Sequence, residues 1–485
     1  MHLETDWITE ALGTPDFRDQ RLTARLVRLV QALFAQPTAG VSQACGDWAA
    51  TQAAYRFWQN PAVEVGEFSR SVGQATAARC QGEPRVILVQ DTTEIRPTAP
   101  RRCADLGPLA NPETRGLWLH TTLAVTPAGV PLGLLRQEVW TRDPATRGQA
   151  NQRAQTPLEG KESARWVRGL RAAQQQMGAV PHLTVADREA DIFELYALAA
   201  QQGGDFVLRA AQNRTIGEEL AHLADAAAAA PVLGQQAVAV PRRDGQPGRT
   251  AQVTLRATTV TLQPPSYQSY AAARRRWWAA HPDVAELLTR PLVPLTLQVV
   301  EVREAAPPSD TKPLHWRLLT SLPAGTLAEA QQVTACYRLR WVVERFHFVL
   351  KSGCRVEHLQ LATAARLERA VLTYSLVAWG LLRLTLLARA SPQAPCTVLV
   401  PDPVWQALWV WTQRTTVLPA TPPDLATFLA AVGRLGGHLG RTRDGPPGPQ
   451  TLWRGWTRLL DLTALWLIEQ GDSPAELVRP PSVQR

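Results

Sequence analysis

The sequence predicts an α/β protein: a core of alternating strands and helices, interrupted by a β-rich insertion and flanked by helical segments at both ends. Three observations carry this. Residues 85–210 alternate short apolar runs with segments of helical period. Residues 211–323 break that alternation with β-branched stretches. Residues 1–75 and 391–485 carry helical patterns set off by Asn60-Pro61 and by Pro-rich connections such as Ser391-Pro392-Gln393-Ala394-Pro395. At 485 residues the chain exceeds one ordinary core. The domains expected are a helical N-terminal domain over 1–75, a core built from 76–210 and 324–390, an insertion over 211–323, and a helical C-terminal domain over 391–485.

Taken in order, Arg18, Arg21, Arg25 and Arg28 recur at three or four residues with Leu22, Leu26, Leu29 and Val30 between them, which predicts an amphipathic helix with a cationic stripe. A second helical segment runs from Ser42 to Trp58. Arg85 to Gln90 reads as a strand, and His120–Val125 and Val130–Trp140 as a hairpin about Thr126-Pro127-Ala128-Gly129. A helix over 162–176, a strand over 182–186, a helix over 191–201 and a strand over 205–209 follow. Strand, hairpin, helix, strand, helix is the order of an RNase H-like domain, in which the first and fourth strands lie side by side. In the insertion, β-rich pieces at 237–240, 251–262 and 295–302 surround the basic aromatic patch Arg274-Arg275-Arg276-Trp277-Trp278, and a last strand contains His315-Trp316-Arg317-Leu318-Leu319. A further helix is expected to start near Thr326.

Composition narrows the function. Hydrophobic residues at 45% and charged residues at 19% describe a globular chain, and a net charge of +9 favours a polyanionic partner, of which nucleic acid is the commonest. None of the six cysteines forms a CxxC pair and no HExxH is present, so neither a zinc site nor a disulfide framework is suggested. The N-terminus shows no basic and apolar signal regions, and the most apolar stretch, Ala370 to Leu387, is interrupted by Arg383. It reads as a core helix, so a cytosolic location without a membrane partner is expected.

Three carboxylates carry the chemistry. Asp91 closes the run Val86-Ile87-Leu88-Val89, and Asp187 closes His182-Leu183-Thr184-Val185-Ala186. Glu344 lies in a helical stretch from Tyr337 to Lys351. On a helical wheel Tyr337, Arg340, Glu344 and Lys351 fall within an arc of roughly 60°, opposite an apolar face of Leu339, Val342, Val343, Phe346, Val349 and Leu350. Two strand-end aspartates and a helical glutamate suit Mg²⁺ ions held against a phosphodiester, because carboxylate oxygens match the hard cation. A solvated face with an Arg–Glu pair four residues apart is the plainer alternative. Of the 51 basic residues only Lys161, Lys312 and Lys351 are lysines, which marks Lys351 as a place where a compact ammonium is wanted.

These residues resemble a family. Tyr337, Arg340, Glu344 and Lys351 satisfy the pattern Y-x(2)-R-x(3)-E-x(6)-K of the bacterial insertion-sequence DDE transposases of the IS-four group, and the chain is most similar to the Tn-five type. Asp91-Thr92-Thr93 and Asp187-Arg188-Glu189-Ala190-Asp191 are similar to its two aspartate motifs, and Ala53-Ala54-Tyr55-Arg56-Phe57, Lys161-Glu162-Ser163 and Arg434-Leu435-Gly436-Gly437 match further blocks. Residues 231–310 depart from the pattern. The resemblance implies cut-and-paste transposition: end nicking, hairpin formation and resolution, and strand transfer into target DNA. Asp91, Asp187 and Glu344 would hold Mg²⁺, with Mn²⁺ able to substitute. Tyr337, Arg340 and Lys351 would grip phosphates. Trp316 would stack on a flipped base, with a core indole as the alternative. Arg188, Arg209, Arg21 and Arg25 would contact DNA ends. The partners implied are double-stranded DNA, as inverted-repeat ends and as target, and a second copy of the chain in the DNA complex. The alternatives are a metal-dependent nuclease of RNase H-like fold and a non-catalytic DNA-binding regulator descended from a transposase.

Overall fold

A computed structural model describes residues 3–103, 105–144, 155–217, 221–240, 248–265, 271–288, 290–309, 311–441, 445 and 447–471. The last fourteen or so positions of the predicted C-terminal domain, 472–485, lie outside them. Five helices open the chain: α1 (Leu3–Leu12), α2 (Gln20–Ala35), α3 (Val41–Cys45), α4 (Trp48–Gln59) and α5 (Val65–Cys80). The Asp19 carboxylate accepts from the Arg21 amide at 2.9 Å and caps α2, which buries Leu26, Leu29, Val30, Leu33 and Phe34. Arg18 therefore precedes the helix, at a φ of 59°, instead of joining its cationic stripe. The segment expected as one helix over Ser42–Trp58 is two. Gly46 turns the chain at a φ of 79°, and Asp47 caps α4 through the Ala50 amide.

The core follows as β1 (Val86–Ile95), β2 (Gly107–Pro108), β3 (Arg115–Val125), β4 (Pro131–Trp140), α6 (Ala164–Met177), β5 (His182–Ala186), α7 (Phe193–Gln201) and β6 (Asp205–Arg209). β1 pairs parallel with β5, from Val86 opposite His182 to Val89 opposite Val185, and antiparallel with β3; β5 pairs parallel with β6. The adjacency of the first and fourth long strands is as the strand order implied. Alternation explains the apolar runs. Val86 and Leu88 enter one cluster with Trp166, Leu170 and Tyr196 of the helices on one face. Ile87 and Val89 enter the other, with Val343, Phe346 and Tyr374. A strand covered on both faces has no solvent side, so it reads as continuously apolar.

The next segment comprises β7 (Thr215–Ile216), β8 (Ala221–His222), α8 (Leu223–Ala229), β9 (Val232–Val240), β10 (Arg249–Leu262), α9 (Ala271–Ala280), β11 (Leu295–Glu304) and β12 (His315–Thr320). These strands continue the core sheet. β12 pairs antiparallel with β6, Leu319 opposite Leu208, and one twelve-stranded mixed sheet results.

Among the described residues six α-helices follow: α10 (Leu327–Arg338), α11 (Trp341–Phe348), α12 (Ala364–Ala390), α13 (Asp402–Gln413), α14 (Leu425–Leu435) and α15 (Pro449–Glu469). Thr326 and Glu329 form a capping box that starts α10 where the sequence indicated. The single helix expected to carry Tyr337 through Lys351 is instead three pieces. α10 ends before Leu339, α11 restarts at Trp341, and a π-helical turn spans Val349–Gly353. α12 is long and apolar enough to cross a membrane, but it lies in the core, with Leu372, Tyr374, Val377 and Trp379 buried, as expected of Ala370–Leu387.

α14 crosses α15 through Gly436 and Gly455. A Cβ on Gly455 would collide with the Val432 carbonyl oxygen, and one on Gly436 with that of Thr451. Backbone cannot yield as a side chain can. Gly455→Ala is therefore expected to destabilise the protein by about 1–3 kcal/mol, whereas alanine at solvent-facing Gly448 should leave stability unchanged. Chemical denaturation of the two variants checks this, and equal midpoints would refute the close crossing.

Candidate active site

β1 and β5 stop pairing at Val89 and Val185. Beyond that point β1 continues beside β3 alone, so Asp91 sits within the strand, opposite Thr121, and not at its end as expected. Asp187 follows the last residue of β5 and caps the short turn Arg188–Ala190, accepting from the Glu189 amide at 2.9 Å. Both aspartates thus stand at the carboxyl end of one parallel pair. α11 packs on β1 and brings Glu344 over the same end.

Burial, first, and then the Asp91 charge push the Asp187 carboxyl above the usual carboxylate range; Glu344 adds to the rise and Arg340 opposes it. Glu344 itself is held by the Arg340 guanidinium in an ion pair one helical turn away. Among the described residues no three carboxylate, imidazole or thiol groups close on a common point as a metal cage.

The other residues expected here occupy distinct places. The Lys351 ammonium donates to the Thr93 hydroxyl at 3.2 Å and to the Glu94 carbonyl at 3.1 Å, so the π-turn is tied to β1 just past Asp91. Tyr337 is 1% exposed, and its hydroxyl has no hydrogen-bond partner. It is buried beside Arg340, whose guanidinium lies 5.7 Å from its ring. Trp316, on β12, is 8% exposed and packs edge-on against Tyr337 with ring centroids 5.0 Å apart. Arg209, on β6, donates to the His315 carbonyl at 2.8 Å, while Arg188 is exposed on the turn after Asp187. Arg21 and Arg25 lie on α2, which packs against α12.

Several site residues escaped the sequence reading. His347, buried one turn after Glu344, bonds Thr121 through Nε2 at 3.2 Å and places Nδ1 3.7 Å from Asp91 Oδ2. Its three-residue spacing from Glu344 was the available signal. Arg165 links the two aspartate segments, donating to the Thr92 hydroxyl and to the Glu189 carboxylate at 2.9 Å each. His120 bonds Thr92 and Gln90, and burial followed by the nearby Arg165 charge holds it neutral. At the far end of the Asp187–Asp191 run, Asp191 is a structural anchor: it pairs with Arg214 and accepts from Tyr196, Ala211 and Gln212. Phe348 is 43% exposed one turn beyond Glu344 on the same helix.

An acid whose folded pKa is raised is worse off ionised in the fold than in the unfolded chain. The cost is absent below the unfolded value near 4, and stability falls as pH rises from there through the folded value. Asp187→Asn keeps the acceptor for the Glu189 amide and removes the charge. We expect it to raise the melting temperature of metal-free protein at neutral pH, with the gain vanishing in acid. A melting temperature lowered at pH 7 would contradict the crowding of charge described here.

Three family models match the chain: a transposase DNA-binding domain over residues 4–63, a transposase DDE domain over 160–379, and a transposase Tn5 dimerisation domain over 376–464. The second includes Asp187 and Glu344 and begins after Asp91. Among solved structures, a piggyBac transposase synaptic complex with hairpin DNA aligns over 96% of this chain and 77% of that chain, at 10% identity and a TM-score of 0.36. The three successive matches run through DNA binding, DDE catalysis and dimerisation from residue 4 to residue 464. The chain belongs to the Tn5-like DDE transposases of the IS4 type and is an enzyme of that family.

Proposed function

We propose that this transposase moves an insertion sequence by cut and paste, nicking the element's ends, closing and reopening a DNA hairpin, and joining the freed 3′-OH to target DNA. The proposal is supported by the seating of Asp91 and Asp187 at the carboxyl end of the β1–β5 pair, with α11, which carries Glu344, packed on β1. Each step is an in-line displacement at phosphorus, so one site can serve all of them. On this reading 76–210 and 324–390 form an RNase H-like catalytic core, 211–323 is an inserted extension, 1–75 holds the transposon end, and 391–485 pairs two copies on DNA.

The donor set fits a hard divalent cation, because mutually repelling carboxylates are what such a charge relieves. Asp91, Asp187 and Glu344 would hold Mg²⁺, or Mn²⁺ in its place. Bound there, it would polarise the phosphate and lower the pKa of the attacking water or 3′-OH. The chain's own residues do the rest. Arg340 pairs with Glu344, and its fork could pass to a phosphate. Lys351 fixes the π-turn to β1 and offers its ammonium to the same strand of DNA. His347 and Arg165 keep Asp91 and the Asp187 turn from moving apart. Tyr337 offers a buried hydroxyl without a partner, and Trp316 beneath it would carry an extruded base once that contact opens.

Asp91→Ala, Asp187→Ala and Glu344→Ala are each expected to abolish nicking of an end-bearing plasmid in Mg²⁺ while leaving end binding largely intact. Mg²⁺ should also raise the melting temperature of the wild type and not of these variants. Wild-type nicking by any one of them removes that residue from the site. A metal-dependent nuclease would nick but would not join a pre-cut end to target DNA.

Trp316→Ala should slow hairpin closure more than first-strand nicking. Base–aromatic stacking is worth about 1–3 kcal/mol, which corresponds to roughly 5- to 150-fold in rate at that step. An abasic site at the flipped position should partly restore it. Equal slowing of both steps without abasic rescue would leave Trp316 as a core indole only.

A further inference from the structure

We propose that α9 is a second DNA contact, in which Arg275 and Arg276 take backbone phosphates of the same duplex that is engaged at the carboxylates. The inference rests on the reading of that site as the place where DNA is cut. α9 has the sequence Ala-Ala-Ala-Arg-Arg-Arg-Trp-Trp-Ala-Ala and buries no residue of its own. A ten-residue helix of that kind is marginal alone in water, so what holds it in place bears on its use.

Its seat is specific. The Trp277 indole lies on Gly160, so close that a Cβ there would stand 2.8 Å from the ring. His281 stacks on the same indole at 4.2 Å and 15°, and bonds the Trp277 carbonyl at 2.8 Å. Downstream, Glu159 accepts from the Leu287 amide at 2.8 Å and Arg171 donates to the Glu286 carbonyl. Gly160 closes the short turn that leads into α6.

That turn stands at the catalytic end of the sheet. α6 runs back antiparallel to β5, so its first turn lies over the carboxyl ends of β1 and β5. From this turn Arg165 reaches Thr92, next to Asp91, and Glu189, two residues past Asp187. A DNA strand crossing the carboxylates and leaving over the α6 N-terminus passes α9.

Charge completes the argument. Arg275 and Arg276 are exposed, and no ion pair is formed by either among the described residues. Of the nearby acids, Glu162 is engaged by Arg142, Glu189 by Arg165 and Glu159 by the Leu287 amide. Burial lowers the Lys161 ammonium pKa and Arg274 adds to that, while Glu194 and Glu159 oppose it. Three successive guanidiniums beside a lysine repel one another, and a polyanion relieves that repulsion. Duplex phosphate, repeating along the strand, matches a row of cations on a helix.

The test measures affinity for an end-bearing duplex without divalent metal, so that no cleavage intervenes, over a range of salt. Arg275→Ala/Arg276→Ala is expected to weaken binding about tenfold or more near 150 mM salt and to reduce the log–log salt slope by roughly 2, since each phosphate contact contributes about 0.9. Arg275→Lys/Arg276→Lys should recover most of the affinity, and all three proteins should melt alike. An unchanged affinity and slope overturns the proposal. So does a loss that lysine does not rescue, or one confined to capture of target duplex by a preformed end complex. A wild type that binds the end but does not nick it in Mg²⁺ would sink the catalytic reading alone, leaving the α9 contact to stand on its own affinity data.

Discussion

The parallel pairing of β1 with β5 is the constraint on which the site depends. It ends at Val89 and Val185, and the aspartates follow two residues later on each strand. Two carboxylates fixed this way cannot separate to relieve their repulsion, and partial burial denies them full hydration. The surrounding polar groups answer that problem. Arg165 ties the two aspartate segments together, His347 stands beside Asp91, and Arg340 holds Glu344. Each cation or imidazole reaches the site from a helix packed on the sheet, so the apolar clusters on both faces set the electrostatics as well as the fold.

The parts of this arrangement legible in the sequence are those fixed by short-range pattern. Doubly covered strands have no polar face, so Val86-Ile87-Leu88-Val89 and the run ending at Ala186 stand out, and the next acidic residue falls where the paired segment ends. The capping box at Thr326 marks the start of α10 for the same local reason. A wheel drawn through Tyr337, Arg340, Glu344 and Lys351 captures the pairing of Arg340 with Glu344, because four residues within one short segment are enough to fix it. It does not foresee that Tyr337 and Lys351 lie on separate helical pieces. The chain is interrupted near Leu339 and widens into a π-turn at Val349, so both side chains reach the site across breaks that the wheel does not contain.

What pattern could not supply is long-range. Nothing local says that the strand ending in Leu319 pairs with β6, because that register is set more than a hundred residues away. The β-rich segment reads as a separate insertion, yet its backbone bonds make it the continuation of one sheet. The same limit applies to Arg165 and His120. An arginine in the first turn of a helix and a histidine in an apolar strand are unremarkable until the sheet brings them together at Thr92. Gly436 and Gly455 are a third case: the space each must leave vacant is defined by the opposite helix.

A site assembled in this way is held short of its most stable form. The three carboxylates would be better solvated apart, the Tyr337 hydroxyl would be better bonded, and Arg340 is divided between Tyr337 and Glu344. These costs concentrate where one end of the sheet meets α11, and the rest of the fold carries them through the apolar clusters on both faces of the sheet. On the reading proposed above these costs have a use: a phosphodiester with its divalent cation would bring positive charge to the carboxylates and hydrogen-bond acceptors to Arg340. On that reading the cost of the arrangement and its fitness for the chemistry are one property, set by the same few side chains.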